Sequence, residues 1–144
     1  MAGAANSLQG GYVGVIPRNA IERGLLLTGV APTSAAAYTS PDGKYQRLVT
    51  GGAPVAASVT IPMTYITSGN AGAEAMTLAN PTQTTGRHYK VFVLTTLGGV
   101  DTVTITPASM LTFTSVALNA VGEYALLVWN GSAWRVAGTN GVLA

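Results

Sequence analysis

Side chains able to do acid–base or nucleophilic chemistry are scarce in this 144-residue chain. It has one histidine, His88, no cysteine, and five carboxylates that never lie close together in the sequence: Glu22, Asp42, Glu74, Asp101 and Glu123. His88 follows Arg87 where a strand is expected to begin, and a histidine there is more often solvated or capping than a general base. Asp42 and Asp101 lie in turn sequences, where aspartate usually makes local hydrogen bonds. The sequence therefore predicts no catalytic residue, and the chain is not expected to be an enzyme.

Metal and cofactor sites have no better support. A chain without thiolates and with dispersed carboxylates offers no ligand set with the spacing of a zinc or calcium site. Gly98-Gly99 is not followed by the lysine and hydroxyl residues of a phosphate-binding loop, so it is expected to be a turn. A glycosidase-type carboxylate pair or a metal site could form only if the fold brought together side chains that are distant in the sequence. No cofactor and no metal ion are predicted.

The two tryptophans offer binding rather than reaction chemistry. Trp129 and Trp134 could present flat aromatic faces to a pyranose ring. The alternative is that both pack the core or an interface around Asn130-Gly131, where each would bury a large apolar area. Packing is favoured, because Leu127 is expected to lie directly opposite Trp134.

Charge is the property that most restricts how this chain can exist. It carries 7 Lys+Arg and 5 Asp+Glu, only 8% of its residues, against roughly a quarter in an ordinary soluble domain. A lone monomer usually keeps itself soluble with a surface that is about 25–35% charged. We therefore expect much of the surface to be covered by partner molecules, and added stability to come from burial or oligomerisation.

Composition also excludes two classes of partner. The basic residues are scattered, so the concentrated patch that nucleic-acid binding requires is missing from the sequence. Mean hydropathy is +0.38, yet the apolar runs are strand-sized and far below the about 20 residues of a membrane-spanning helix. The first eight residues lack the basic segment and apolar core of a secretory signal. We expect no nucleic acid and no membrane, and a protein that stays in the cytosol or leaves it inside a larger particle.

Residues from about 70 to the C-terminus are typical of an all-β domain, with short strands and turn signals every 8–12 residues. Residues 90–97 and 100–106 flank Gly98-Gly99 and are predicted to form a hairpin with a two-residue turn. The core face of this hairpin would carry four residues: Phe92, Leu94, Val103 and Ile105.

A second hairpin is predicted from residues 124–129 and 132–137. Asn130-Gly131 between them is the strongest short signal for a type I′ turn. Both faces of this hairpin are largely apolar, which indicates a central position in a sheet or a second contact surface such as a neighbouring subunit.

Strands are also expected over residues 59–66 and 111–118. Pro62 confines the first to a sheet edge or breaks it. A bulge at Ser115 in the second would keep Leu111 on the core side. The fold class predicted from these elements is all-β, an antiparallel β-sandwich or barrel-like domain.

The first fifty residues differ from the rest. Proline and glycine recur too often for a long element, yet aliphatic residues persist, so residues 1–50 are predicted to be an extended N-terminal arm and residues 51–144 the sandwich domain. Asn19 and Glu22 favour a single helical turn, and three leucines follow with no partner stretch nearby. The arm is expected to dock on the sandwich, on a sibling chain or on a foreign surface, and to supply much of the attachment to its partner.

Four stretches in the last seventy residues carry a family resemblance. They are Met76-Thr-Leu-Ala-Asn-Pro, Gly86-Arg-His-Tyr-Lys-Val-Phe-Val, Asp101-Thr-Val-Thr-Ile-Thr-Pro and Val121-Gly-Glu-Tyr-Ala-Leu-Leu-Val-Trp-Asn-Gly-Ser-Ala-Trp. Together they resemble the β-domains of tailed-bacteriophage virion proteins, with capsid decoration (cement) and head-fibre proteins the nearest. The resemblance implies a homotrimer on the outer capsid surface, seated at quasi-threefold positions of an icosahedral shell and bound to the major capsid protein, with assembly in the host cytoplasm.

The residues expected to contact partners fall into two groups. The first lies on the arm: Arg18, Ile21, Arg23, Leu25, Leu26 and Leu27. The second lies on the second hairpin: Tyr124, Trp129, Trp134 and Arg135. The function expected from them is structural, namely decoration and stabilisation of the capsid. The alternative is a fibre or knob module that binds a receptor or glycan through the two tryptophans.

Overall fold

The computed structural model describes residues 37–69, 72–82, 88–99 and 101–144. The chain divides into two units, residues 1–35 and 36–144, and the described residues belong to the second. Eleven strands and no helix occur in the described ranges. One sheet has six strands: β1 (Tyr38–Thr39), β2 (Tyr45–Thr50), β4 (Met63–Ser68), β6 (Tyr89–Thr96), β9 (Tyr124–Trp129) and β10 (Trp134–Thr139). The other has five: β3 (Val55–Ala57), β5 (Ala73–Leu78), β7 (Thr102–Pro107), β8 (Val116–Leu118) and β11 (Val142–Leu143).

Consecutive strands alternate between the two sheets from β2 to β7, so the chain winds through three coils of two strands each. As a result β2, β4 and β6 are parallel neighbours in one sheet, and β3, β5 and β7 in the other. The chain then reverses: β8 pairs antiparallel with β7, β9 with β6, and β10 with β9. The all-β class and the two packed sheets are confirmed. The sheets are mixed rather than purely antiparallel, and they do not close into a barrel.

The core lies between the inner faces of the sheets, where side chains of alternate positions meet. The four residues predicted for the core face of the first hairpin are all fully buried. Further buried residues from both sheets complete the cluster: Met76, Leu78, Val116, Leu118, Leu127 and Trp134.

The first predicted hairpin is wrong, although its core residues are right. Residues 90–96 lie in β6 of the six-stranded sheet, and residues 102–107 lie in β7 of the five-stranded sheet. The segment around Gly98-Gly99 therefore carries the chain from one sheet to the other. Period-two alternation fixes which side chains face the core, but it is the same for two strands that pair in one sheet and for two strands that face each other across the core.

The second predicted hairpin is confirmed as β9 and β10, with a different turn. The connection has four residues, and Asn130 Oδ1 accepts hydrogen bonds from the amides of Ser132 (3.0 Å) and Ala133 (2.9 Å). Trp129 therefore lies opposite Trp134, rather than Leu127 as predicted. From Leu127 to Trp134 the register differs by two residues, so these side chains keep their predicted side of the sheet. A bulge between Leu126 and Leu127 shifts the pairing by one more residue beyond this point.

The boundary between arm and sandwich also differs from the sequence-based expectation. Residues 45–50 form β2, which pairs with β4 over six residues inside the six-stranded sheet. The sandwich therefore begins before residue 51. The predicted helical turn at residues 20–23 lies outside the described residues.

The strand predicted over residues 111–118 is limited to β8. Leu111 is 45% exposed, and Thr112 has a φ of 80°, which interrupts extended backbone. The predicted inward position of Leu111 is therefore wrong. Met110 packs against the core instead and makes a bridge with Trp134.

Candidate functional site

The outer face of the six-stranded sheet concentrates the tyrosines of this protein. Five of the six tyrosines in the chain point away from the core at alternating strand positions: Tyr38, Tyr45, Tyr65, Tyr89 and Tyr124. The strand register aligns them in rows with other large side chains. These are Arg47 and Val93 in one row, Met63, Val91 and Leu126 in a second, and Val128 and Arg135 in a third. We call the surface formed by these twelve residues the tyrosine face.

Aromatic contacts make one half of the tyrosine face rigid. The ring centroids of Tyr38 and Tyr45 lie 6.0 Å apart, and those of Tyr45 and Tyr65 lie 5.8 Å apart at 72°. Burial, with smaller contributions from Tyr38, raises the pKa of the Tyr45 hydroxyl. On the other half, Tyr124 lies over Gly138, where an added Cβ would meet its hydroxyl oxygen at 3.7 Å. The Tyr124 ring therefore covers the backbone at Gly138 at a distance of ordinary van der Waals contact.

The outer face of the five-stranded sheet is different in character. Its strand residues are small: Ala56, Ala73, Ala75, Thr77, Thr102, Thr104, Thr106, Ala117 and Val142. Neither outer face carries a carboxylate on its described strands. Only the tyrosine face offers the large aromatic side chains that are enriched in protein interfaces.

An open cleft of about 640 Å³ lies at one end of the sandwich, beside the β9–β10 hairpin. Six of the described residues line it: Pro81, Thr82, His88, Trp129, Asn130 and Gly131. Trp129 and His88 are cross-strand neighbours, and the Trp129 amide donates to the His88 carbonyl oxygen at 2.8 Å. Among the residues that the structure describes, the lining includes no carboxylate and no ammonium group.

The two tryptophans have separate roles. Trp134 is fully buried, and its Nε1 donates to the Ala79 carbonyl oxygen at 3.2 Å. Trp129 is half-buried, lines the cleft and meets the Trp134 ring edge-to-face at a centroid distance of 5.5 Å and an angle of 62°. Trp134 therefore packs the core and cannot contact a partner, whereas Trp129 can.

The other residues predicted to contact partners are distributed as follows. Tyr124 and Arg135 lie on the tyrosine face, both exposed. The six arm residues, Arg18 to Leu27, lie outside the described residues. Four tyrosines of the face were missed by the sequence analysis. Tyr38 and Tyr45 were assigned to the arm, and the strands of Tyr65 and Tyr89 were not predicted to be neighbours in one sheet. The available signal was the position of each tyrosine, which always falls on the side of its strand opposite to the core residues.

Two carboxylates are buried where β5 and β7 begin. Glu74 and Asp101 are 4% and 2% exposed. The Thr50 hydroxyl donates to Glu74, the Ser68 hydroxyl donates to Asp101, and the Gly72 amide also donates to Asp101. The two hydrogen bonds to Asp101, the one from Ser68 first, lower its pKa although burial opposes the shift, and a backbone hydrogen bond from Gly98 acts in the same direction. Asp101 therefore joins distant segments in addition to making a local turn bond, as expected from the sequence.

Replacement of Ser68 by alanine is expected to make the fold more sensitive to acid. The folded-state pKa of Asp101 lies below the ordinary value of 3.8, so its charged form stabilises the fold above that pH, and this contribution is lost as the pH falls. Without the Ser68 hydroxyl, the pKa of Asp101 should rise and acid unfolding should begin at a higher pH. Carboxyl-carbon NMR and circular dichroism measure the two effects. Ser68→Thr keeps the hydroxyl and should behave like the parent; an unchanged acid midpoint in Ser68→Ala would contradict this role.

Lys90 is a buried amine on the core side of β6. It is 0% exposed, and its Nζ donates to the carbonyl oxygens of Ser58 (2.9 Å) and Ile61 (2.5 Å). The Phe92 ring centroid lies 5.4 Å from the same nitrogen. Burial lowers the pKa of Lys90 to about 7. This amine stabilises the connection between β3 and β4, and it has no opening to solvent through which a substrate could reach it.

The described residues contain no group of three or more histidine, aspartate or glutamate side chains placed to hold a metal ion. In the same part of the chain, no helix has the length and apolar character needed to cross a membrane. Comparison with protein-family models and with curated protein sequences found no match.

Proposed function

We propose that this protein is a structural virion component of a tailed bacteriophage that decorates and stabilises the icosahedral capsid. In this proposal it assembles as a homotrimer and binds the major capsid protein on the outer surface of the shell, without a cofactor and without catalysis. The resemblance of residues 76–134 to phage decoration and head-fibre domains supports the choice of particle. The tyrosine face supports the assembly role, and it is the observation on which the proposal depends.

The composition of the tyrosine face is that of an interface core. Tyrosine and arginine are over-represented among the residues that contribute most to protein binding, and tyrosine buries a large area while losing little side-chain entropy. Four of its large hydrophobic residues are clearly open to contact: Tyr38, Tyr89, Tyr124 and Val128, which are 39%, 48%, 39% and 38% exposed. A cleft of about 320 Å³ between Lys44, Met63 and Tyr89 could receive a partner side chain.

The size of the face is that of an interaction surface. Six strands about 4.8 Å apart with a rise of about 3.3 Å per residue give a face of roughly 500 Å², and contiguous apolar patches above a few hundred Å² mark interaction sites. A standard interface covers about 800 Å² on each partner, so residues outside the face must supply the rest of a stable contact. Three copies with their tyrosine faces around a common axis form a closed prism in which each face contacts both neighbours.

Val93→Arg tests the trimer. Val93 lies in the middle of the tyrosine face, between Tyr65 and Tyr124 on the neighbouring strands. A guanidinium placed there would be buried without a partner on the threefold axis, so the mass measured by light scattering should fall from about 44 kDa to the monomer value of 14.6 kDa. The circular dichroism spectrum should stay unchanged.

Thr104→Arg is the matched control for this experiment. Thr104 lies at the centre of the opposite outer face, on β7. It should leave the trimer intact. If Thr104→Arg dissociates the assembly and Val93→Arg does not, the interface lies on the five-stranded sheet and the tyrosine face is not the contact surface. If the parent chain is a monomer, the trimer proposal is wrong.

A fibre or knob module that binds a receptor or glycan is the second candidate function. The observation that favours it is Trp129, half-buried on the wall of an open cleft. Copy number separates the two candidates. A decoration protein should be present in many copies per particle and should raise the melting temperature of the shell, whereas a receptor-binding module should be scarce and should leave that temperature unchanged.

A further inference from the structure

We propose that the cleft beside the β9–β10 hairpin binds a neutral saccharide, with a pyranose ring stacked on the indole of Trp129. This inference deepens the second candidate function by naming the ligand class and the residues. It does not depend on whether the protein also forms a trimer through the tyrosine face, because the two surfaces share no residue.

The aromatic wall of the cleft is held rigidly from behind. Trp129 is supported by the buried ring of Trp134, which is itself fixed by its bond to the Ala79 carbonyl oxygen. The backbone of Trp129 is bonded to that of His88. A wall that is ordered before binding loses little conformational entropy when a ligand arrives. The Trp129 ring packs against the protein on one side and is open on the other. Its open side suits the flat apolar face of a sugar ring.

The polar groups of the lining match sugar hydroxyls. Asn130 Oδ1 is occupied by the amides of Ser132 and Ala133, which fixes the orientation of the side-chain amide. Among the described residues no hydrogen bond uses the Nδ2 donor of Asn130. The exposed imidazole of His88, which directly precedes β6 and lies opposite Trp129, has two ring nitrogens able to form hydrogen bonds. Hydroxyl groups donate and accept, so a sugar can pair with both side chains.

The charge and size of the cleft narrow the ligand class. The described residues of the lining include no carboxylate, ammonium or guanidinium group, so none of them offers a fixed counter-charge to a uronic acid, a phosphate or an amine. Its volume of about 640 Å³ falls within the usual 300–1,000 Å³ of small-molecule sites. The cleft is open on one side, so a short oligosaccharide fits with one ring on Trp129 and the remainder extending into solvent.

Indole NMR signals test the proposal directly. The chain has two tryptophans, so a ¹H–¹⁵N spectrum shows two Nε1–H signals, which Trp129→Phe assigns. Glucose, galactose, mannose and N-acetylglucosamine, with their di- and trisaccharides, are titrated to about 20 mM, well above a millimolar dissociation constant. We expect at least one of them to shift the Trp129 signal in a saturable manner while the buried Trp134 signal stays fixed. No shift with any of these sugars would overturn the proposal, as would an equal shift of both signals.

Variants then locate the site. Trp129→Ala should weaken the affinity for the sugar that binds by at least tenfold, His88→Ala by several-fold, and Trp129→Phe less than Trp129→Ala. Tyr124→Ala, on the tyrosine face, should leave it unchanged. Sugar binding that survives in Trp129→Ala, or that is lost in Tyr124→Ala, places the site elsewhere and refutes the inference. A charged saccharide or a peptide that displaces the neutral sugar would contradict the ligand class. Because light scattering reports the trimer separately, loss of sugar binding and loss of assembly are distinguishable.

Discussion

Replacement of Trp134 by alanine should lower the free energy of unfolding by about 3–5 kcal/mol. The indole is fully buried, and its Nε1 bond to the Ala79 carbonyl oxygen would be lost, whereas the backbone bonds of residue 134 to Ser109 and Leu111 can remain. The truncated side chain would leave a large cavity between the two sheets and remove the support of Trp129. In a chain of this length the melting temperature should fall by about 10 °C or more.

Urea unfolding followed by circular dichroism measures this effect. Trp134→Phe retains most of the apolar volume and should cost less than the alanine variant. Trp129→Ala is the matched control. Because Trp129 is only half-buried at the cleft, its replacement should lower the free energy of unfolding by less than half as much as Trp134→Ala does. If Trp129→Ala proves the more destabilising of the two, the separate roles given to the tryptophans are wrong.

Stability of the parent protein should rise as the pH increases above about 7, because of Lys90. Its folded-state pKa, lowered by burial to about 7, lies below the ordinary value of 10.5. Between these two pH values the unfolded chain binds more protons at this side chain than the folded chain does, so the free energy of unfolding increases with pH. The slope expected at its steepest is about 1.4 kcal/mol per pH unit, and between pH 7 and pH 9 the gain should reach about 2–3 kcal/mol.

Lys90→Met isolates this contribution. Methionine has a similar length and no charge, so the rise in stability with pH should disappear in the variant. The variant also leaves the carbonyl oxygens of Ser58 and Ile61 without their donor, which costs about 1–3 kcal/mol at every pH. The difference in slope between parent and variant, measured by denaturant unfolding from pH 6 to pH 9, is therefore the quantity to compare. Equal slopes would show that the buried amine is not the group that titrates.

Much of the core could be predicted because alternation is a local property. In β6 and β7 the apolar positions alternate with threonine or valine, and Phe92, Leu94, Val103 and Ile105 were placed correctly on that basis. The same alternation places Lys90 on the core side, although its charge concealed this in the sequence analysis. The hairpin of β9 and β10 was predicted for a similar reason, since the Asn130-Gly131 signal lies within a few residues of both strands.

Strand pairing could not be predicted in the same way. After β6, the next strand of the chain can either pair with β6 in the same sheet or join the other sheet. Contacts between segments tens of residues apart decide which of the two occurs. β6 in fact pairs with β4 and β9, and β7 with β5 and β8. No short-range pattern distinguishes these partners, because the inward side chains are the same in either arrangement.

The sequence by itself determined the all-β class, the scarcity of charge, the inward residues and the β9–β10 hairpin, since each follows from composition or from neighbours along the chain. Only the tertiary structure decided that five tyrosines share one sheet face, that Asp101 and Lys90 are buried, and that Trp129 meets His88 at a cleft while Trp134 lies in the core. These features arise where strands distant in sequence become neighbours, and their register is set by packing of the two sheets over the whole core.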